Sequence, residues 1–88
     1  PVLLVFTAGW CASCREVLPA VKAYAGGKGY TVQVVDVDDS AAHGITRQYG
    51  LSINQVAPPM VYFVTGGKPN IVIDNKADHS QTSDLLRQ

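Results

Sequence analysis

The 88-residue chain lacks net charge, long apolar runs and repeats, and each of these absences argues against a class of protein. Its seven basic residues are balanced by seven acidic ones, so no global field attracts nucleic acid or an anionic membrane surface. No apolar run approaches the roughly 20 residues that a membrane span requires. Internal repeats and low-complexity tracts are also missing. The apolar fraction of 47% and the charged fraction of 16% instead indicate one compact domain over residues 1–88.

Signals for export are also missing from the chain. No segment combines a charged start, an apolar run and a small-residue cleavage site, so the sequence alone predicts a cytoplasmic protein. Pro1 stands directly ahead of a predicted strand. Removal of a leader before it would indicate a periplasmic or exported protein instead.

Periodicity and turn residues divide the chain into seven elements. Runs rich in β-branched and aromatic residues predict strands at Val2–Phe6, Tyr30–Asp38, Met60–Val64 and Asn70–Asp74. Helical spacing and capping residues predict helices from near Cys11 to the glycines at 26–29, from Asp39 or Ser40 to Tyr49, and from Asp78 or Ser80 onward. The order β-α-β-α-β-β-α predicts an α/β domain with a four-stranded mixed sheet flanked by helices. A crossover helix implies parallel strands, and the glycine turn at 66–67 implies a hairpin.

The two cysteines, Cys11 and Cys14, are the only ones in the chain and lie three positions apart. A purely structural disulfide closing so short a loop would remove little unfolded-state entropy. A zinc site normally needs four ligands, and His43 and His79 lie on separate later elements, where solvent-facing or capping roles are more typical. A C-x-x-C at a strand-to-helix junction favours redox exchange, with metal or cluster binding as the alternative.

The predicted helix start gives the two thiols different roles. Cys11 would lie among unpaired N–H groups at a positive dipole end, which lowers the pKa of its thiol. Cys14 lies one turn later on the apolar stripe of the helix, where burial has the opposite effect. We therefore expect an exposed Cys11 to attack a disulfide and Cys14 to resolve the mixed disulfide.

The segment VLLVFTAGWCASC, residues 2–14, resembles the active-site strand and W-C-x-x-C turn of thioredoxins. Pro19 matches the proline of the active-site helix in that family, and further resemblance lies in VVDVD (34–38), YGL (49–51) and the strand–glycine turn–strand after Pro59. The likeness extends from Val2 to about Arg87. It implies a minimal thioredoxin fold and a thiol–disulfide oxidoreductase in electron transport, with Cys11 and Cys14 as its catalytic pair.

The resemblance also implies a substrate surface around the cysteines. Thioredoxins have a cis-proline opposite the cysteines, matched here by Pro59, with Pro58 as the fallback. Trp10 is expected to flank the cysteines as a substrate-facing aromatic, and Ala12 and Ser13 lie between them. The implied partners are disulfide-containing protein substrates and an upstream thiol reductase. A monomer is implied, with no cofactor and no metal.

Four departures from the thioredoxin pattern leave alternatives open. Residues 1–88 contain no counterpart of the N-terminal strand and helix of full thioredoxins, so the core is closer in size to a glutaredoxin. Ala12-Ser13 replaces the usual Gly-Pro, and the loop ending at Pro59 is about four residues longer. Val5 and Val34 stand where thioredoxins have a buried Asp and a Lys. Without that carboxylate we expect Cys14 to resist ionisation.

Two other functions fit the same motif. A glutathione-dependent, glutaredoxin-like reductase would need a cationic pocket, for which Lys68 and Arg47 are the candidates. A non-enzymatic thioredoxin-like module would bind a partner protein, or an iron–sulfur cluster between two subunits through Cys11. Asp36 and Asp38 are interpreted as solvated or loop-bracing, and Asp38 matches an acidic position of the family at a strand end.

Overall fold

The computed structural model describes residues 1–74, which form a four-stranded mixed sheet with a helix on each face. The elements are β1 (Val2–Thr7), α1 (Cys14–Lys28), β2 (Thr31–Asp36), α2 (Ala42–Gln48), a 3₁₀ helix (Ile53–Gln55), β3 (Met60–Thr65) and β4 (Lys68–Ile73). The predicted α/β order is confirmed as far as β4. The predicted tail helix, with His79, lies outside the described residues. No helix within residues 1–74 is both long enough and apolar enough to span a membrane.

Strand β1 lies inside the sheet, whose order is β2-β1-β3-β4. It is parallel to β2 and antiparallel to β3, with Val5 opposite Val34 on one side and Val61 on the other. The four residues from Leu3 to Phe6 are each at most 2% exposed. Burial on both faces explains why this strand is a continuous apolar run rather than an alternating one.

Alternating side chains of β1 enter two separate cores. Leu3 and Val5 pack on the α1 face, where the other buried members are Val17, Val21, Ala25, Val61 and Ile73. Leu4 and Phe6 pack on the opposite face, where the other buried members are Val35, Ala42, Met60, Tyr62 and Val64. The twofold period of the strand therefore places α1 and α2 on opposite sides of the sheet.

The predicted hairpin is confirmed between β3 and β4. Gly66 and Gly67 form a two-residue connection between the paired residues Thr65 and Lys68. Both glycines have positive φ, 60° and 78°, as a type I′ turn requires.

The predicted start of α1 is wrong, whereas its predicted end among the glycines at 26–29 is confirmed. The helix begins at Cys14 rather than near Cys11, after a turn at Ala12 and Ser13. It continues through the first glycines of the predicted terminus and ends at Gly29, whose φ of 71° suits a left-handed cap. Packing of this helix on the sheet extends it through residues with poor helix propensity.

The turn between β2 and α2 is longer than predicted. Strand β2 ends at Asp36, whose side-chain Oδ1 accepts the N–H of Asp38 at 2.9 Å. Asp39 does not cap the helix, because its Oδ1 accepts the N–H of Ala41 at 3.0 Å and α2 starts only at Ala42. These local side-chain bonds compete with regular structure and hold the chain in a turn.

The segment from α2 to β3 contains a 3₁₀ turn that the sequence did not predict. Ser52 Oγ accepts the N–H of Asn54 at 3.4 Å, and Gln55 Oε1 accepts the N–H of Ser52 at 3.3 Å, which together form a capping box. Ile53 and Val56 are half-buried and pack against the α2-face core. The loop therefore has its own hydrogen bonds and its own apolar anchor.

Candidate active site

Cys11 and Cys14 are joined by a disulfide at the N-terminal end of α1, with their Cα atoms 5.4 Å apart. The intervening turn is held by backbone bonds from Cys11 N–H to Ala8 O at 3.1 Å and from Arg15 N–H to Ala12 O at 3.2 Å. Cys11 therefore lies just before the helix, and Cys14 is its first residue. Both cysteines thus lie at the positive end of the helix dipole.

Burial does not distinguish the two cysteines in the disulfide form. Cys11 is 8% exposed and Cys14 is 5% exposed, and both belong to one small cluster with Ala8, against which Val37 packs. The expected exposed Cys11 is therefore not seen in this form, because the bond draws both sulfurs into the same cluster. The difference between them lies in their positions relative to the helix.

Trp10 precedes the disulfide and is 67% exposed. Its indole Nε1 donates a hydrogen bond to Asp38 Oδ2 at 2.9 Å. Asp38 is thus more than a solvated residue, since it orients the aromatic side chain beside Cys11. Sequence reasoning missed this contact, and its only signal was the acidic residue at a predicted strand end.

The two prolines before β3 lie at the same end of the sheet as the cysteines. Pairing of Met60 with Phe6, near the end of β1, places Pro59 there. Pro59 is buried, Pro58 is half-buried, and the peptide bond between them is cis, the isomer expected for this position.

The residues between the cysteines lie on the surface of the same turn. Ala12 is exposed and Ser13 is half-buried. Together with Trp10 and the prolines, they complete the set of side chains expected to face a substrate. The fold brings the cysteines, Trp10 and both prolines to one end of the sheet.

A cleft of about 430 Å³ opens beside the disulfide. We call it the Cys14 cleft; its lining residues are Thr7, Ala8, Gly9, Cys11, Cys14, Arg15, Leu18 and Pro19. It lies between the end of β1 and the first turns of α1. Arg15 is the only charged side chain among the described lining residues, so the cleft combines both sulfurs with one positive charge.

The other candidate cations lie elsewhere. Arg47 and His43 line a separate cavity of about 340 Å³, which includes neither cysteine among its described lining residues. Lys68 is the first residue of β4 and pairs with Thr65 at the end of β3. That end of β3 lies beside Val2, at the start of β1, so Lys68 is at the end of the sheet opposite the cysteines. Within residues 1–74, no group of three or more His, Cys, Asp or Glu side chains is arranged to hold a metal ion.

The positions of the family's buried acid and its cation are occupied by apolar residues. Val5 and Val34 are register partners on β1 and β2. Val5 is 1% exposed in the α1-face core, whereas Val34 on the outer strand is 42% exposed. The only pKa shift resolved in the described chain concerns Tyr62, on the opposite face, where burial raises the pKa of the phenol.

A family model described as Thioredoxin matches residues 1–88. The chain belongs to the thioredoxin family. It is 33% identical over 73 residues to the thioredoxin of Porphyra purpurea, a match that covers 83% of this chain and 65% of that protein. Thioredoxin 1 of Synechococcus elongatus matches with the same identity and coverage. The chain therefore spans just under two thirds of the length of these thioredoxins.

Solved thioredoxin structures share the fold. Oxidised thioredoxin O1 from Arabidopsis thaliana superposes with a TM-score of 0.70 at 27% identity, covering 100% of this chain and 76% of that one. Thioredoxin 1 from Thermosipho africanus gives a TM-score of 0.73 at 14% identity, covering 99% and 91%. The second likeness concerns the fold alone. The expected minimal thioredoxin fold is confirmed.

Proposed function

We propose that the protein is a thiol–disulfide oxidoreductase that works through the Cys11–Cys14 couple. The observation that carries the proposal is a disulfide between the only two cysteines, located at a helix start beside an exposed indole. Membership of the thioredoxin family supports it.

The reaction transfers two electrons from the reduced cysteine pair to a substrate disulfide. The Cys11 thiolate attacks one substrate sulfur, which forms a mixed disulfide and releases the other sulfur as a thiolate. Cys14 then attacks the Cys11 sulfur, which forms the Cys11–Cys14 bond and releases the second substrate thiolate. Both released thiolates take up protons, and a thiol reductase returns the protein to its reduced state.

The substrates that fit this surface are protein disulfides. Trp10, Ala12 and Ser13 offer an exposed contact area beside the cysteines, and Pro58 and Pro59 border it at the end of β3. A stretched chain carrying a disulfide can lie across these residues. The monomer is the form in which we expect this surface to work.

Trapping experiments test the assignment of the two thiols. The Cys14→Ser variant should accumulate mixed disulfides with protein substrates, because nothing resolves the first intermediate, and Cys11→Ser should form none. In the reduced wild-type chain, iodoacetamide at mildly acidic pH should label Cys11 well ahead of Cys14. Equal labelling of the two cysteines would contradict the proposal that Cys11 attacks first. The absence of mixed disulfides from both variants would contradict the proposed thiol–disulfide exchange.

The direction of electron flow is settled by the equilibrium potential of the couple against glutathione. We expect a strongly reducing value, typical of a cytoplasmic reductase. An oxidising value would instead indicate an exported thiol oxidant or isomerase.

A further inference from the structure

Resolution of the mixed disulfide requires Cys14 to lose its proton, and Cys14 is one of the residues that line the Cys14 cleft. Cys14 is 5% exposed, but it forms part of the wall of an open space of about 430 Å³. A thiol sealed in an apolar core would ionise with difficulty. A thiol at the wall of a hydrated cleft has water next to it.

Among residues 1–74, the side chains around Cys14 provide no carboxylate or imidazole. On β1, Val5 is apolar and Thr7 is neutral, and the cluster contact after β2 is Val37. Asp36 ends β2 and Asp38 follows it, but neither is among the described residues that line the cleft. Asp38 is also occupied by the indole of Trp10.

Helix α1 contributes the one charged group found among the described residues that line the cleft. Arg15 follows Cys14 directly and lines the same space, whereas the exposed Glu16 does not. Arg15 has no salt-bridge partner among residues 1–74. A guanidinium is always protonated, so it cannot accept the Cys14 proton, but it can stabilise a neighbouring thiolate.

We propose that the Cys14 cleft and Arg15 together stabilise the resolving thiolate, the cleft by hydrating it and Arg15 by its positive charge. Arg15 is in this sense a positioning residue that acts through Cys14. The proposal rests on the dithiol exchange proposed above. It identifies what takes the place of a buried carboxylate in a chain whose corresponding position is Val5.

The resolving step balances with water as the only additional reactant. The Cys14 proton passes to water in the cleft, and the thiolate attacks Cys11 Sγ. The bond between Cys11 Sγ and the substrate sulfur breaks, and its electron pair leaves on the substrate sulfur, which takes up a proton. Over attack and resolution together, the protein loses two electrons and the substrate disulfide gains two.

The first test measures the ionisation of Cys14 in a Cys11→Ser background, by the ultraviolet absorbance of the thiolate against pH. Arg15→Gln should raise the pKa of Cys14, and Arg15→Lys should largely restore it. Lys22→Gln, an exposed cation on the same helix, is the matched control and should leave the pKa unchanged. We expect alkylation by anionic iodoacetate at neutral pH to fall at least about threefold in Arg15→Gln, the factor that corresponds to half a pKa unit.

The second test follows resolution in the two-cysteine chain. Single-turnover reaction with an aromatic disulfide releases one coloured thiolate on attack and another on resolution. Arg15→Gln should slow the second phase at neutral pH and leave it unchanged above the pKa of Cys14. A role of Arg15 in folding alone would not produce this pH dependence.

The outcomes separate the two proposals. Absence of the first coloured phase would mean that Cys11 does not attack, and the dithiol function would fail. A normal first phase, with the same Cys14 pKa and second-phase rate in Arg15→Gln as in wild type, would overturn the role of Arg15 and the cleft alone. A second variant tests the cleft itself. Thr7→Trp places a large side chain in the cleft and should raise the pKa of Cys14 above its wild-type value. An unchanged pKa in a folded Thr7→Trp chain would exclude hydration of Cys14 through the cleft.

Discussion

Helix α1 covers its face of the sheet with 15 residues, whereas α2 covers the opposite face with 7. The long helix is attached by apolar packing of Val17, Val21 and Ala25. The short helix adds a hydrogen bond to the sheet: Tyr49 Oη, directly after α2, donates to Gln33 Oε1 on β2 at 2.7 Å. A short helix buries too little apolar surface to be fixed by packing alone, so polar contacts complete its attachment.

The cysteines form a separate cluster with Ala8 at the start of α1, and Val37 packs against both this cluster and the α2-face core. Cys14 is the first residue of α1, so its position depends on the packing of that helix. Helix α2 stabilises the same sheet but contributes no residue to the cysteine cluster. We therefore expect changes on the α2 face away from Val37 to alter mainly stability, and changes on the α1 face to alter stability and thiol chemistry together.

The largest expected effect comes from removing Phe6 on the α2 face. Its ring is fully buried and meets Tyr62 edge-to-face at 5.7 Å. Phe6→Ala should lower the free energy of unfolding by about 3–5 kcal/mol in urea titrations. The rate of Cys11 alkylation in the folded protein should stay as in wild type. A changed rate would show that the two faces are not independent.

The next effect tests the α1 face at Val5. Val5→Asp should lower the free energy of unfolding by about 1–3 kcal/mol, because the new polar group lacks a full set of partners. It should also speed resolution at neutral pH by accepting the Cys14 proton, as stopped-flow reduction of a model disulfide would show.

The matched control for Val5→Asp is Val35→Asp, at a buried site in the α2-face core. It should bring a similar loss of stability without faster resolution. If Val5→Asp remains folded and resolves no faster than wild type, removal of the proton from Cys14 does not limit the rate.

A smaller effect concerns the hydrogen bond that attaches α2. Tyr49→Phe removes the donor to Gln33 and should lower the free energy of unfolding by about 0.5–1.5 kcal/mol, with unchanged thiol kinetics. Tyr24→Phe is the control, since Tyr24 contacts Tyr30 through its ring and its hydroxyl has no hydrogen bond to a described residue. Equal losses in the two variants would argue against a stabilising role for the Tyr49 bond.

The smallest effect is a pH dependence on the α2 face. Burial raises the pKa of Tyr62 above its ordinary value of 10.0, so the folded chain keeps that proton after the unfolded chain has lost it. The associated stability is complete below the unfolded pKa and is lost as pH rises through the folded pKa. Urea midpoints between about pH 9 and 11 should therefore fall less steeply in Tyr62→Phe than in wild type. Parallel curves would contradict the buried phenol.

Much of the fold was predictable because its signals are local. The apolar run of β1, the glycines at 66 and 67, and the C-x-x-C spacing each depend on neighbouring residues. The start of α1 was not predictable, because it depends on how the turn after Ala8 closes. The bond between Trp10 and Asp38 joins residues 28 positions apart, so only the assembled sheet brings them together.

The Cys14 cleft was likewise beyond the sequence. Its volume depends on which side chains fail to fill the space between β1 and α1, and that is a property of packing in three dimensions. Val5 showed that a carboxylate is missing, but not that the resolving thiol lies beside solvent. The sequence predicted the apolar positions of the site, Val5 and Val34, but it did not predict the empty space beside Cys14.

The loop that contains the capping box after α2 forms most of its hydrogen bonds within itself. Inside it, bonds such as Gln55 N–H to Ser52 O at 2.9 Å and Val56 N–H to Ile53 O at 3.2 Å begin and end within the loop. Two hydrogen bonds join the loop to its neighbours. Leu51 N–H donates to Thr46 O of α2 at 2.8 Å, and Ala57 N–H donates to Met60 Sδ of β3 at 3.2 Å. Replacing the exposed polar residues between these two bonds would leave few unpaired backbone groups in α2 or β3, whereas Ile53 and Val56 must stay apolar because they pack against the α2-face core.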